Sequence, residues 1–91
     1  MTAKRVVIAG RVQGVGYRDW MARRARELGL DGWVRNRPDG SVEALVSGET
    51  DAVEELLRLC RRGPRPASVS SIVEELTEPP EYPGFVRAPE V

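Results

Sequence analysis

The chain is 91 residues long. That suits one domain with a modest core, and residues 1–91 are read as a single folding unit. Its 14 basic and 14 acidic residues cancel, which removes overall charge as a reason to expect nucleic acid or an anionic membrane as partner. One cysteine and no histidine exclude an intramolecular disulfide, a Ser-His-Asp triad and histidine metal ligation.

Residues 4–12, KRVVIAGRV, place Val6, Ile8 and Val12 on one side and predict a first strand. The two glycines of QGVGYR (13–18) break that alternation. A helix is expected over 19–28, because Tyr17, Met21, Ala25 and Leu28 recur at helical spacing and Gly29 is a natural stop. DGWVRNR (31–37) and SVEALVS (41–47) flank the turn Pro38-Asp39-Gly40 and read as a hairpin. A second helix is expected over 50–62. Thr50 or Asp51 can cap it, Asp51 and Glu54 have capping-box spacing, and Val53, Leu56, Leu57 and Cys60 form its apolar stripe. In the strand expected over 67–76, Val69 and Val73 favour one face and Ile72 and Leu76 the other, a conflict that a β-bulge reconciles. Pro79, Pro80 and Pro83 then form a stiff connection to a short edge strand at Phe85, Val86 and Arg87.

Strand, helix, strand, strand, helix, strand is the order of an α+β, ferredoxin-like split βαβ sandwich (βαββαβ), one antiparallel sheet with two helices on one face. In that topology the third strand lies between the first and second, which run parallel. Their carboxyl ends share one rim, two strand spacings or roughly 10 Å apart. The first strand opens there into QGVGYR, and the second ends near Asn36. Asn36 shares the parity of core-facing Val34, so it points to the helix side. Arg18 begins the first helix on that same side.

The loop between them has its own chemistry. Gly14 and Gly16 permit backbone conformations in which successive N–H groups curve into an anion-binding nest. The helix that follows adds free N–H groups and a positive dipole end. Arg18 offers a planar, permanently charged fork matched to phosphate oxygens. The N-terminal 40 residues also hold nine basic against four acidic side chains, and the remainder five against ten. A Walker loop fails here because no Lys-Ser/Thr pair follows, and a dinucleotide fingerprint fails because Asp19 stands where its third glycine belongs. A glycine pair before a helix also fits an ordinary tight turn.

The longer strings carry more. GRVQGVGYR (10–18) and GWVRNRPDGSVEALVSG (32–48) closely resemble the two signature blocks of the acylphosphatase family. Gly63-Pro64 and Ala67-Ser68-Val69 give a weaker match further on. The resemblance implies the ferredoxin-like fold and hydrolysis of the carboxyl–phosphate bond of acyl phosphates, with no metal and no cofactor. It assigns phosphate binding to Arg18 and to the backbone amides of Gln13, Gly14, Val15, Gly16 and Tyr17, and water positioning to Asn36. Tyr17 stands where the family often has Phe.

The expected partner is a small-molecule acyl phosphate, with inorganic phosphate or sulfate as a competing ligand. RNA binding of the kind seen on sheets of this type needs aromatics on central strands, and KRVVIAGRV and SVEALVSG have none. No nucleic acid partner is expected. Neither a signal peptide nor an apolar run of about 18 residues is present, so a cytoplasmic monomer away from membranes is expected. Cys60 is expected in the core, Trp20 and Trp33 in the core rather than at its rim, and Arg35 and Arg37 in solvent, with steering of an anionic substrate as their alternative role. A non-catalytic phosphate-binding or regulatory module of the same fold is the alternative.

Overall fold

Alternating side chains, not intrinsic strand preference alone, set the first element. In a computed structural model that describes residues 1–90, β1 (Thr2–Arg11) turns Val6 and Ile8 to one face, and Val12 continues that row past its end. Then come α1 (Tyr17–Glu27), β2 (Asp31–Asn36), β3 (Val42–Gly48), α2 (Thr50–Cys60), β4 (Ser68–Leu76) and β5 (Phe85–Arg87). The sheet order is β4-β1-β3-β2-β5. β3 is antiparallel to β1 and β2, and β4 is antiparallel to β1. This is the expected ferredoxin-like unit. The short edge strand β5 is added outside β2 and runs parallel to it, so one edge of the antiparallel sheet is mixed.

Val6, Ile8, Val34, Val42, Ala44 and Val46 form the sheet side of the core. Met21, Ala22 and Ala25 of α1 and Val53, Leu56, Leu57 and Cys60 of α2 cover them. Each fully buried side chain of this size contributes about 1.5–3 kcal/mol, enough together to hold both helices on the one face. Register then fixes the rim. Ile8 pairs with Val42, and Val42 with Asn36. Asn36 is therefore level with Ile8, and β1 runs on beyond it through Ala9, Gly10 and Arg11.

The bulge expected in β4 is present. Ala9 pairs with Ser71 but Gly10 with Val69, leaving Ser70 as the extra residue. Val69 and Ile72 thereby share the helix side, partly buried against the core, while Val73 is 65% exposed. A Cβ on Gly10 would lie 2.3 Å from the Ser68 carbonyl oxygen, so the two backbones close up only at glycine.

Three expectations are corrected. The α2 cap is Glu49, with no side-chain cap bond. Thr50 instead shares a 2.7 Å hydroxyl–hydroxyl bond with Thr2 of the neighbouring strand, and Asp51 serves the helix dipole from the first turn. α2 also stops at Cys60, where the Arg62 N–H tightens onto the Leu59 carbonyl at 3.1 Å and Gly63 turns the chain away at φ 70°. Trp33 is not core. It pairs with Leu45 on the helix-free face, where the Arg35 guanidinium carbon lies 4.6 Å from its ring centroid. Arg35 and Arg5 on that face cover Glu43, whose side chain is only 4% exposed. Trp20 sits partly buried at the edge of the core, its ring 5.4 Å from that of Tyr17.

Candidate active site

β1, β2 and β5 all run in one direction, so their carboxyl ends emerge at one rim. From β1 comes the glycine loop, from β2 Asn36, and from β5 Arg87. With the start of α1 they line a cavity of about 90 Å³. The structure brings Gln13, Gly14, Gly16, Tyr17, Arg18 and Asn36 to this one place. Val15 is the exception: it does not line the cavity and instead packs, partly buried, against the core.

Loop shape comes from two glycines. Gly14 has φ 73° and Gly16 φ 79°, and no atom lies within 4 Å of a Cβ built on either. Conformation rather than lack of space therefore calls for glycine. Gly16 caps α1, which starts at Tyr17, earlier than the expected Asp19. The first helix bond runs from the Trp20 N–H to the Gly16 carbonyl at 3.0 Å. The N–H groups of Tyr17, Arg18 and Asp19 are thus left without helix partners, at the positive end of the dipole.

Two side chains hold this loop in register. Tyr17 is 1% exposed, and its hydroxyl donates to the Cys60 carbonyl at 2.7 Å, tying the start of α1 to the end of α2. Burial pushes the Tyr17 hydroxyl pKa up, so it stays a donor. Gln13 reaches the other way. Its Nε2 donates to the carbonyls of Arg37 (2.8 Å) and Ser41 (2.9 Å), joining the loop to the β2–β3 turn. That turn is itself closed by Arg37 N–H to Ser41 carbonyl at 2.9 Å and by Asp39 Oδ1, which accepts from the Ser41 amide and hydroxyl. The Ser41 side chain, first among these partners, holds the Asp39 carboxyl below its ordinary range.

Arg18 is half-buried and pairs with no carboxylate among the described residues. Asn36 Oδ1 is buried and has no hydrogen-bond partner among the described residues. An unsatisfied buried acceptor costs about 1–3 kcal/mol, and such groups call for an explanation in function or in an unseen partner. Arg18 and Asn36 both line the same small cavity. Cys60, by contrast, offers no nucleophile: burial pushes its thiol up to about 12. Among the described residues no group of three or more Asp, Glu or Cys side chains is placed to hold a metal ion.

Sequence reasoning missed Arg87. It lines the cavity and its Nη1 lies 2.6 Å from Asp19 Oδ1. Phe85 and Arg87 share parity, so with Phe85 buried Arg87 returns to the helix side. That signal was present in the edge strand. Its parallel placement beside β2, which takes it to the rim, was not.

The sequence model of the family described as Acylphosphatase matches residues 4–86. A relative named Acylphosphatase from Acidiphilium cryptum is 64% identical over 87 residues, which is 96% of this chain and 96% of that one. Among solved structures, an acylphosphatase from Bacillus subtilis superimposes with a TM-score of 0.92 at 32% identity, covering 97% of this chain and 99% of its own. An acylphosphatase from Coxiella burnetii gives 0.91 at 36% identity, covering 96% and 92%.

Proposed function

The chain belongs to the acylphosphatase family, and on that premise we propose that it hydrolyses acyl phosphates to a carboxylate and inorganic phosphate at this rim. The phosphate lies in the glycine loop, against the amides of residues 13–17 and the free N–H groups that open α1. Arg18 closes over it with two parallel N–H bonds. The Asn36 side-chain amide hydrogen-bonds the attacking water and aims its oxygen at phosphorus. The bond between phosphorus and the acyl oxygen breaks, the carboxylate leaves, and the water's proton passes to a phosphate oxygen.

A carboxylate departs readily and the transition state is loose. Positioning and charge stabilisation then carry most of the catalysis, and no strong base is required. In this reading Arg18 and the amides supply the positive charge that a metal ion supplies elsewhere. Inorganic phosphate and sulfate compete, because the loop recognises the tetrahedral anion. All the named groups come from one chain.

The observation that carries the proposal is the meeting of Asn36 and Arg18, which has no carboxylate partner among the described residues, in one cavity. Asn36→Ala tests it. Turnover of an acyl phosphate should fall by roughly 10²-fold, by analogy with loss of a positioned polar group, while inhibition by inorganic phosphate stays nearly constant. Collapse of phosphate affinity along with turnover would make Asn36 a binding residue.

A further inference from the structure

A cavity of about 90 Å³ is well below the roughly 300 Å³ at which pockets for larger ligands begin. A phosphate fills it, and the acyl group must extend outward through the mouth. The mouth is where Asp19 and Arg87 stand, with side chains 66% and 44% exposed. β5 sets this position: Arg87 pairs with Val34, and the Ala88 N–H bonds the Val34 carbonyl at 2.8 Å. The strand is thus fixed against β2 on the flank that carries Asn36, away from the glycine loop. Arg18 and Arg87 are two guanidiniums in one cavity, the first without a carboxylate and the second held by one bond from Nη1.

We propose that the Asp19–Arg87 pair is a charge-selective acyl subsite, and that it favours acyl phosphates whose acyl chain carries a second carboxylate. This rests on the acyl phosphate reading above. Arg87 has donors left over after its single bond to Asp19. An exposed ion pair of this kind is weak, so a substrate carboxylate arriving on the planar fork displaces Asp19, which swings into solvent. Asp19 is a competitor for Arg87, not a helper. It keeps the guanidinium extended over the mouth while the site is empty and opposes the anionic acyl group when it arrives.

Opposite roles predict opposite mutants. The readout is the ratio of kcat/KM for carboxybenzoyl phosphate, as meta and para isomers, to that for benzoyl phosphate. Comparing one ratio across variants cancels the intrinsic reactivity of the mixed anhydrides. Arg87→Gln should lower the ratio about three- to fivefold, Asp19→Asn should raise it by a similar factor, and Arg87→Lys should keep part of it. Circular dichroism and thermal melts confirm that each variant is folded. Ratios unchanged in both Arg87→Gln and Asp19→Asn would overturn the subsite and leave the hydrolysis standing. A wild-type protein that releases phosphate from none of these compounds would overturn the hydrolytic reading itself, and the subsite with it.

Discussion

Gln13→Leu removes the amide that joins the glycine loop to the β2–β3 turn and keeps most of its volume. The structure sets the size of the effect. Two bonds are lost, at 2.8 and 2.9 Å, yet neither carbonyl is orphaned. Ser41 still accepts from the Arg37 N–H at 2.9 Å, and Arg37 from the Gly40 N–H at 3.1 Å. The cost is therefore the net worth of two hydrogen bonds, about 1–3 kcal/mol. For a domain of this size that is a fall in Tm of about 5–20 °C. The catalytic effect comes from a different source. The loop carries the amides and Arg18, the turn follows Asn36, and a displacement of about 1 Å between them can cost on the order of 10²-fold. Urea unfolding gives the stability, and turnover is measured at a temperature where the variant is fully folded. Catalytic efficiency of the folded variant should drop by about 10-fold or more, with kcat falling further than KM rises. A folded variant that is less stable but catalyses normally would refute the reasoning: the bonds would then matter to stability alone and not to the spacing of Arg18 and Asn36.

Arg18→Lys should keep the fold and lose about 10²-fold or more in turnover, since a point charge replaces a planar fork; near-normal turnover would remove the phosphate-clamp role. Activity should survive dialysis against EDTA, whereas loss restored by a divalent ion would replace the metal-free reading. Glu43 tests the helix-free face. Its burial raises the carboxyl pKa, but the Arg35 and Arg5 guanidiniums outweigh that and hold it below the ordinary value. A folded pKa below the unfolded one means stability that is full above about pH 4.3 and is lost as pH falls through the folded value. Glu43→Gln should cost about 1–2 kcal/mol at neutral pH, less than a fully buried pair because both arginines are about a third exposed. It should also flatten the acid limb of the stability profile; an unchanged limb would assign the acid sensitivity to other carboxylates.

The fold was legible because its elements are written in period. Val6, Ile8 and Val12 alternate, and Val53, Leu56, Leu57 and Cys60 follow a helical stripe, so both the strand and helix faces could be read. The convergence of Arg18 and Asn36 on one cavity was legible too, since it follows from parity plus the crossing order of three strands. What could not be read was set by tertiary competition. Thr50 has the right chemistry for a cap but spends its hydroxyl on Thr2, a neighbour brought in by the sheet. Val15 sits inside the loop string but turns to the core. Arg87 lies beyond the prolines, where local pattern says nothing about which strand the chain will join.

That last placement changes the character of the site. With β1 and β2 alone, the rim offers a loop and an amide, which in the proposed reading hold a phosphate and a water. The parallel addition of β5 brings a third carboxyl end to the same rim and puts a second guanidinium there. Parallel pairing is the condition for this. An antiparallel edge strand would have left its carboxyl end at the far side of the sheet. The connection from β4 makes the parallel course possible, because Gly84 turns the chain beside β2, donating to Asp31 Oδ1 at 2.7 Å and accepting from the Gly32 N–H at 2.9 Å. Gly32 itself admits no side chain, since a Cβ there would lie 1.8 Å from the Leu45 carbonyl oxygen and 3.3 Å from the Phe85 ring. The reach of Arg87 into the cavity therefore depends on a glycine at the opposite end of β2. Disturbing that end should act on the acyl side of the site first, and on the phosphate loop, which is tied separately through Tyr17 and Gln13, only later.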